Sequence, residues 1–126
     1  MAFVFDEKTQ AIRMPAGDTA DIPVTVEWNG LRNGDAVVFA IFDPKEESGD
    51  LVVRSAELVD GCAVIRLCNH DTRDVPPGHY RWNLRIVTGP ARDAEGRVIA
   101  DECSDSVITV FETPPSFRLT RGGAYV

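Results

Sequence analysis

The chain has 126 residues, 44% of them apolar, which is enough for one domain with a real core. Thirteen basic against twenty acidic residues give a formal charge of -7. That balance argues against a nucleic-acid or anionic-membrane binder, which needs a basic face. No apolar run approaches the ~20 residues of a membrane span, and the start, MAFVFDEKTQ, lacks the basic-then-apolar pattern of a secretory signal. The expected location is the cytosol, or a particle assembled there.

In chain order, Phe3-Val4-Phe5 is a first short strand candidate. Residues 10–14 are a second, stopped by Pro15 and a turn at Ala16-Gly17-Asp18. In TADIPVTVEW, Ile22, Val24, Val26 and Trp28 share one face. Pro23 cannot donate to a ladder, so this strand belongs at an edge or shows that position to solvent. Asn29-Gly30 and Asn33-Gly34 are turn dipeptides. AVVFAIF, residues 36–42, is apolar on both faces and reads as a central strand, covered on both sides or lying at an interface.

A charged loop from Asp43 leads to a strand over 50–59, and Asp60-Gly61 turns into the strand of GCAVIRLC. Residues 69–75 form one helical turn in this reading. Residues 78–87 alternate strictly: Tyr80, Trp82, Leu84 and Ile86 on one face, His79, Arg81, Asn83 and Arg85 on the other. This is the strongest signal of a half-buried antiparallel strand in the chain. A polar loop over 89–96, a short strand over 97–100 and a strand over 106–111 follow, closed by Pro114-Pro115. The expected architecture is an all-β, immunoglobulin-like antiparallel sandwich of about seven to nine short strands. Its domain spans residues 1–115, and 116–126 form a C-terminal tail.

Three cysteines give no closed disulfide framework. Cys62 and Cys68 share one strand, where six residues span ~20 Å, beyond the ~7 Å that a disulfide tolerates. Small apolar filler is the expected role of these two and of Cys103.

His70, Asp71, Asp74 and His79 are metal-ligand types within ten residues, but their spacing matches no familiar site. Asp71 and Thr72 are expected to cap the helical turn instead. Acidic pairs such as Asp18 with Asp21, Glu46 with Glu47 and Asp101 with Glu102 sit beside turns and read as solvated loop charge. There is no Gly-x-Ser-x-Gly, no convincing Cys–His pair and no phosphate-binding glycine loop. No cofactor is expected. Trp28, Tyr80 and Trp82 offer an aromatic platform in principle; the parity of Tyr80 and Trp82 places them in the core.

The pattern of Asp71-Thr72, Gly78-His79-Tyr80, Asp93-Ala94-Glu95-Gly96, Val98-Ile99 and the strand 107–111 resembles the immunoglobulin-like domain at the N-terminus of phage baseplate upper proteins. Ala16-Gly17-Asp18-Thr19 and the run from Gly34 to Phe39 extend the resemblance over residues 10–113. It implies a non-enzymatic structural protein of a phage or prophage tail or baseplate, located in the virion and assembled in the bacterial cytoplasm. Its partners would be other virion proteins and copies of itself, with neither nucleic acid nor membrane. The tail then reads as a docking arm, with Phe117, Arg118, Leu119, Arg121 and Tyr125 as its contact residues. The alternative is a carbohydrate- or peptide-binding sandwich, which predicts an exposed aromatic or an acidic calcium loop.

Overall fold

The computed structural model describes residues 3–32, 34–46 and 49–121, with backbone alone for 98–106. The strands are β1 (Val4–Phe5), β2 (Ile12–Pro15), β3 (Ala20–Thr25), β4 (Ala36–Phe42), β5 (Asp50–Glu57), β6 (Cys62–Leu67), β7 (Gly78–Arg92), β8 (Val98–Thr109) and β9 (Ser116–Thr120). One helical turn, α1 (Asn69–Thr72), separates β6 from β7. Among the described residues no helix is long and apolar enough to cross a membrane.

The strands form the expected sandwich. One sheet runs β1-β2-β9-β7-β4-β5, with β8 also on β7; the other is the pair β3-β6. Every pairing is antiparallel except β2 with β9. The alternation in β7 is realised: Tyr80, Trp82, Leu84 and Ile86 are buried, while His79 and Arg81 are exposed. Phe39 of β4 stacks on Trp82 at 5.3 Å and meets Phe117 edge-on at 6.3 Å, which fixes the centre of the core. The Tyr80 hydroxyl donates to the Pro76 carbonyl at 2.5 Å, tying the start of β7 back to the preceding turn. Burial, and then the nearby Asp43 charge, push the Tyr80 phenol above its ordinary pKa.

β4 is doubly covered, as its composition demands. Val37, Phe39 and Ile41 face the core, and Ala36, Val38 and Ala40 are buried on the outer side. The cover comes from β8. It approaches β4 and β5, although β5 lies three strand positions away, roughly 14 Å across a flat sheet at ~4.8 Å per strand. Register shifts at Thr88/Pro90 and Pro90/Arg92 bend β8 over that face. The two expected strands 97–100 and 106–111 are therefore one bent strand, and the acidic stretch between them does not break it.

Asp60 and Gly61 both have positive φ, 52° and 78°, as a two-residue mirror-image hairpin turn requires. Val59 and Cys62 exchange both backbone hydrogen bonds across it, each at 2.9 Å. A Cβ on Gly61 would come within 2.8 Å of the Val26 carbonyl oxygen, so close packing as well as conformation demands glycine. At the far end, Gly17 N–H donates to the Thr72 hydroxyl at 2.9 Å, joining the β2–β3 turn to α1.

The first five residues of the expected docking arm are part of the sheet. Residues 116–120 are strand β9, hydrogen-bonded between β2 and β7, and the domain does not end at residue 115. Phe117 is 0% and Leu119 2% exposed, because alternation turns both into the core. Arg118 points out of the sheet, Arg121 is exposed just past β9, and Tyr125 lies outside the described residues.

Candidate functional site

Of His70, Asp71, Asp74 and His79, Asp71 is the one whose side chain is built into the fold. Asp71 is almost fully buried, its side chain 4% exposed, and accepts from Arg54 Nε at 3.1 Å and from an Arg54 Nη as well. Its Oδ2 also accepts the Cys68 backbone N–H at 2.7 Å, holding the entrance of α1. Burial pushes the Asp71 carboxyl upward. The Arg54 hydrogen bond, the Cys68 N–H and the Arg54 and His70 charges outweigh it and hold the group below the usual range. His70 lies beside the pair, 3.2 Å from Arg54 Nη, while Asp74 and His79 are exposed elsewhere. Among the described residues no three His, Cys, Asp or Glu side chains converge on a point.

The filler role expected of the cysteines fails for Cys62, which is exposed at the start of β6. A position beside a hairpin turn on a strand's solvent face does not need filling. Cys68 is half-buried, and the Cys103 side chain lies outside the described residues.

Two buried polar groups had no signal in the sequence beyond their residue type. Asp35 is 2% exposed; its carboxylate accepts the Arg32 N–H at 2.9 Å and the Gly89 N–H at 3.1 Å, fastening the loop before β4 to β7. Asn83, expected on the polar face, is buried. Its amide donates to the Phe111 carbonyl and accepts the Phe111 N–H, each at 3.2 Å. It continues the β7–β8 pairing with a side chain in place of backbone.

The feature best suited to recognition is the open seam between the sheets. A layer of two strands, roughly 10 Å wide, cannot cover a row of six. The gap is a groove of about 250 Å³ whose floor is Phe39, Trp82 and Leu84. Its walls are Phe5 of β1, residues 22–25 of β3, and Val110 and Phe111 after β8. Phe5 is 39% and Val110 41% exposed, so apolar surface continues from the floor to both rims. Trp82 Nε1 donates to the Gln10 carbonyl at 2.9 Å, leaving the indole's apolar surface to the groove.

The edge of β3 beside the seam has no partner among the described strands. Val26 N–H bonds Gly61 at 2.8 Å, so alternation along the β3–β6 register makes Ile22 and Val24 the bonded positions. Pro23 therefore turns its missing N–H to the free edge, as expected of an edge strand. Asp21 and Thr25 supply the donors of that edge.

The aromatic candidates divide. Tyr80 and Trp82 are core, whereas Trp28 is 43% exposed and packs against Gly30. Comparison with protein-family models, curated proteins and solved structures returns no match for this chain.

Proposed function

We propose that the protein is a non-enzymatic structural component of a phage or prophage particle, of the tail or baseplate, and acts through protein–protein contacts. Its partners are other particle proteins and copies of itself. The observation that carries the contact role is the seam: an apolar groove reaching the core aromatics and bordered by the free edge of β3. A free strand edge offers backbone donors and acceptors to an incoming extended segment, and the groove accepts that segment's alternate side chains. The particle context is supported by the resemblance over residues 10–113. Deleting the gene from the phage or prophage and examining the particles by negative-stain electron microscopy tests the reading. It expects tails that are missing or arrested; normal, infective particles would overturn it.

A second reading, a carbohydrate- or peptide-binding module, is favoured by Trp28, whose indole is open to solvent beside Gly30. Ligand-induced quenching of tryptophan fluorescence that disappears in Trp28→Ala would support it.

A further inference from the structure

The outer face of the large sheet is divided. Where β8 bends over it the face is covered; over β1, β2, β9 and the start of β7 it is open. The register aligns Val4 with Arg13, Arg13 with Arg118, and Arg118 with His79. Paired residues share a face, so these four side chains form one row across four strands, and all four are exposed. Arg81, opposite Ser116, adds a further exposed cation in the next row.

Like charges directly opposite one another destabilise a sheet, and this chain has only thirteen basic residues against twenty acidic ones. Among the described residues neither Arg13 nor Arg118 makes an ion pair or side-chain hydrogen bond. Asp6, the one carboxylate among the residues lining this face, accepts the Lys8 and Thr9 N–H groups through Oδ1, at 2.9 and 3.4 Å. Arg81 donates to the Pro114 carbonyl at 2.8 Å and keeps its charge on the face. A groove of about 270 Å³, lined by Val4, Asp6, Ala11, Arg13, Ser116 and Arg118 among others, runs beside the first three members of the row.

We propose that this row docks a short, carboxylate-rich extended segment of a partner protein. The proposal rests on the reading of the chain as a protein-binding scaffold and names the chemistry of one partner. Charge complementarity selects it. A net charge of -7 repels a long polyanion such as nucleic acid, while screening over ~8 Å lets a short segment feel chiefly the local cations. From Val4 to His79 the row spans three strand spacings, roughly 14 Å, the length of about four or five extended residues. Val4, 44% exposed at one end, suits an apolar residue flanking the acidic run.

Fluorescence anisotropy of a dye-labelled hexaglutamate peptide with the full chain tests this. Binding is expected at low ionic strength and should weaken as salt rises toward ~0.15 M. Arg13→Glu/Arg118→Glu should weaken it roughly tenfold or more, and Arg13→Gln/Arg118→Gln should give a smaller loss. Lys45→Glu/Arg97→Glu, which changes net charge equally elsewhere, should leave it intact, with circular dichroism confirming the fold of each variant. Absence of binding by the wild type, or equal loss in the control pair, overturns the proposal. So does tighter binding of a single-stranded DNA oligomer of equal charge, or self-association that Arg13→Glu/Arg118→Glu abolishes, which assigns the face to nucleic acid or to a second copy. Peptide binding as described alongside normal particles in the deletion strain would keep this surface and remove only the phage context.

Discussion

Arg54 of β5 and Asp71 of α1 form a two-point ion pair that clamps the helical turn to the sheet edge. The carboxylate is 4% exposed and the guanidinium 38%, so water reaches only the cation. The pair also sets the N-terminal end of α1, because Asp71 holds the Cys68 N–H.

Asp71→Asn should destabilise the fold by roughly 1–3 kcal/mol at neutral pH, since a charged partner is lost and the Arg54 donors turn to water. The folded carboxyl holds its proton less readily than the unfolded one. Its stabilisation is therefore complete above the unfolded value of about 4 and is lost as pH falls through the lower folded value. Urea midpoints measured from neutral to acid pH should converge for wild type and Asp71→Asn at the acid end. Parallel curves would remove the ion pair as their cause.

Gly61→Ala should cost roughly 1–3 kcal/mol, because alanine is strained at φ 78° and its Cβ meets the Val26 oxygen at 2.8 Å. Gly49→Ala, at φ 94° but with open space around it, isolates the conformational part. Thermal unfolding of the two variants should rank Gly61→Ala as the more damaging.

Phe117→Ala and Arg118→Ala separate a strand from an arm. Phe117 is fully buried against Phe39, so its truncation should cost about 3–5 kcal/mol. Its exposed neighbour Arg118 should cost within about 0.5 kcal/mol. Chemical denaturation of both variants checks this; equal, negligible effects would mean that 116–120 does not belong to the core.

Much of the fold was legible because alternation is a local signal. Residues 78–87 announced their core face, and Asp60-Gly61 announced its turn. β9 was not legible as core, since SFRLT alternates for only five residues and its parallel partner β2 lies at the other end of the chain. The burial of Asn83 and the single run of β8 were hidden for one reason. Both depend on how β8 and the residues after it meet β7, where the Phe111 backbone bonds the Asn83 amide, and no periodicity records that pairing. The seam was equally invisible, because it arises from unequal sheet widths. The cationic row needs the β2–β9 register before Arg13 and Arg118 become neighbours.

The proposed role, a built-in part of a phage particle held through the seam, makes a prediction about particle composition. Quantitative mass spectrometry of gradient-purified particles tests it most directly, comparing wild type with a Phe5→Asp/Val110→Asp seam variant shown to fold. The wild-type protein is expected at a fixed ratio to the tail proteins, and the variant is expected to be depleted. Wild-type protein left wholly in the soluble lysate, with none in the particles, would contradict it.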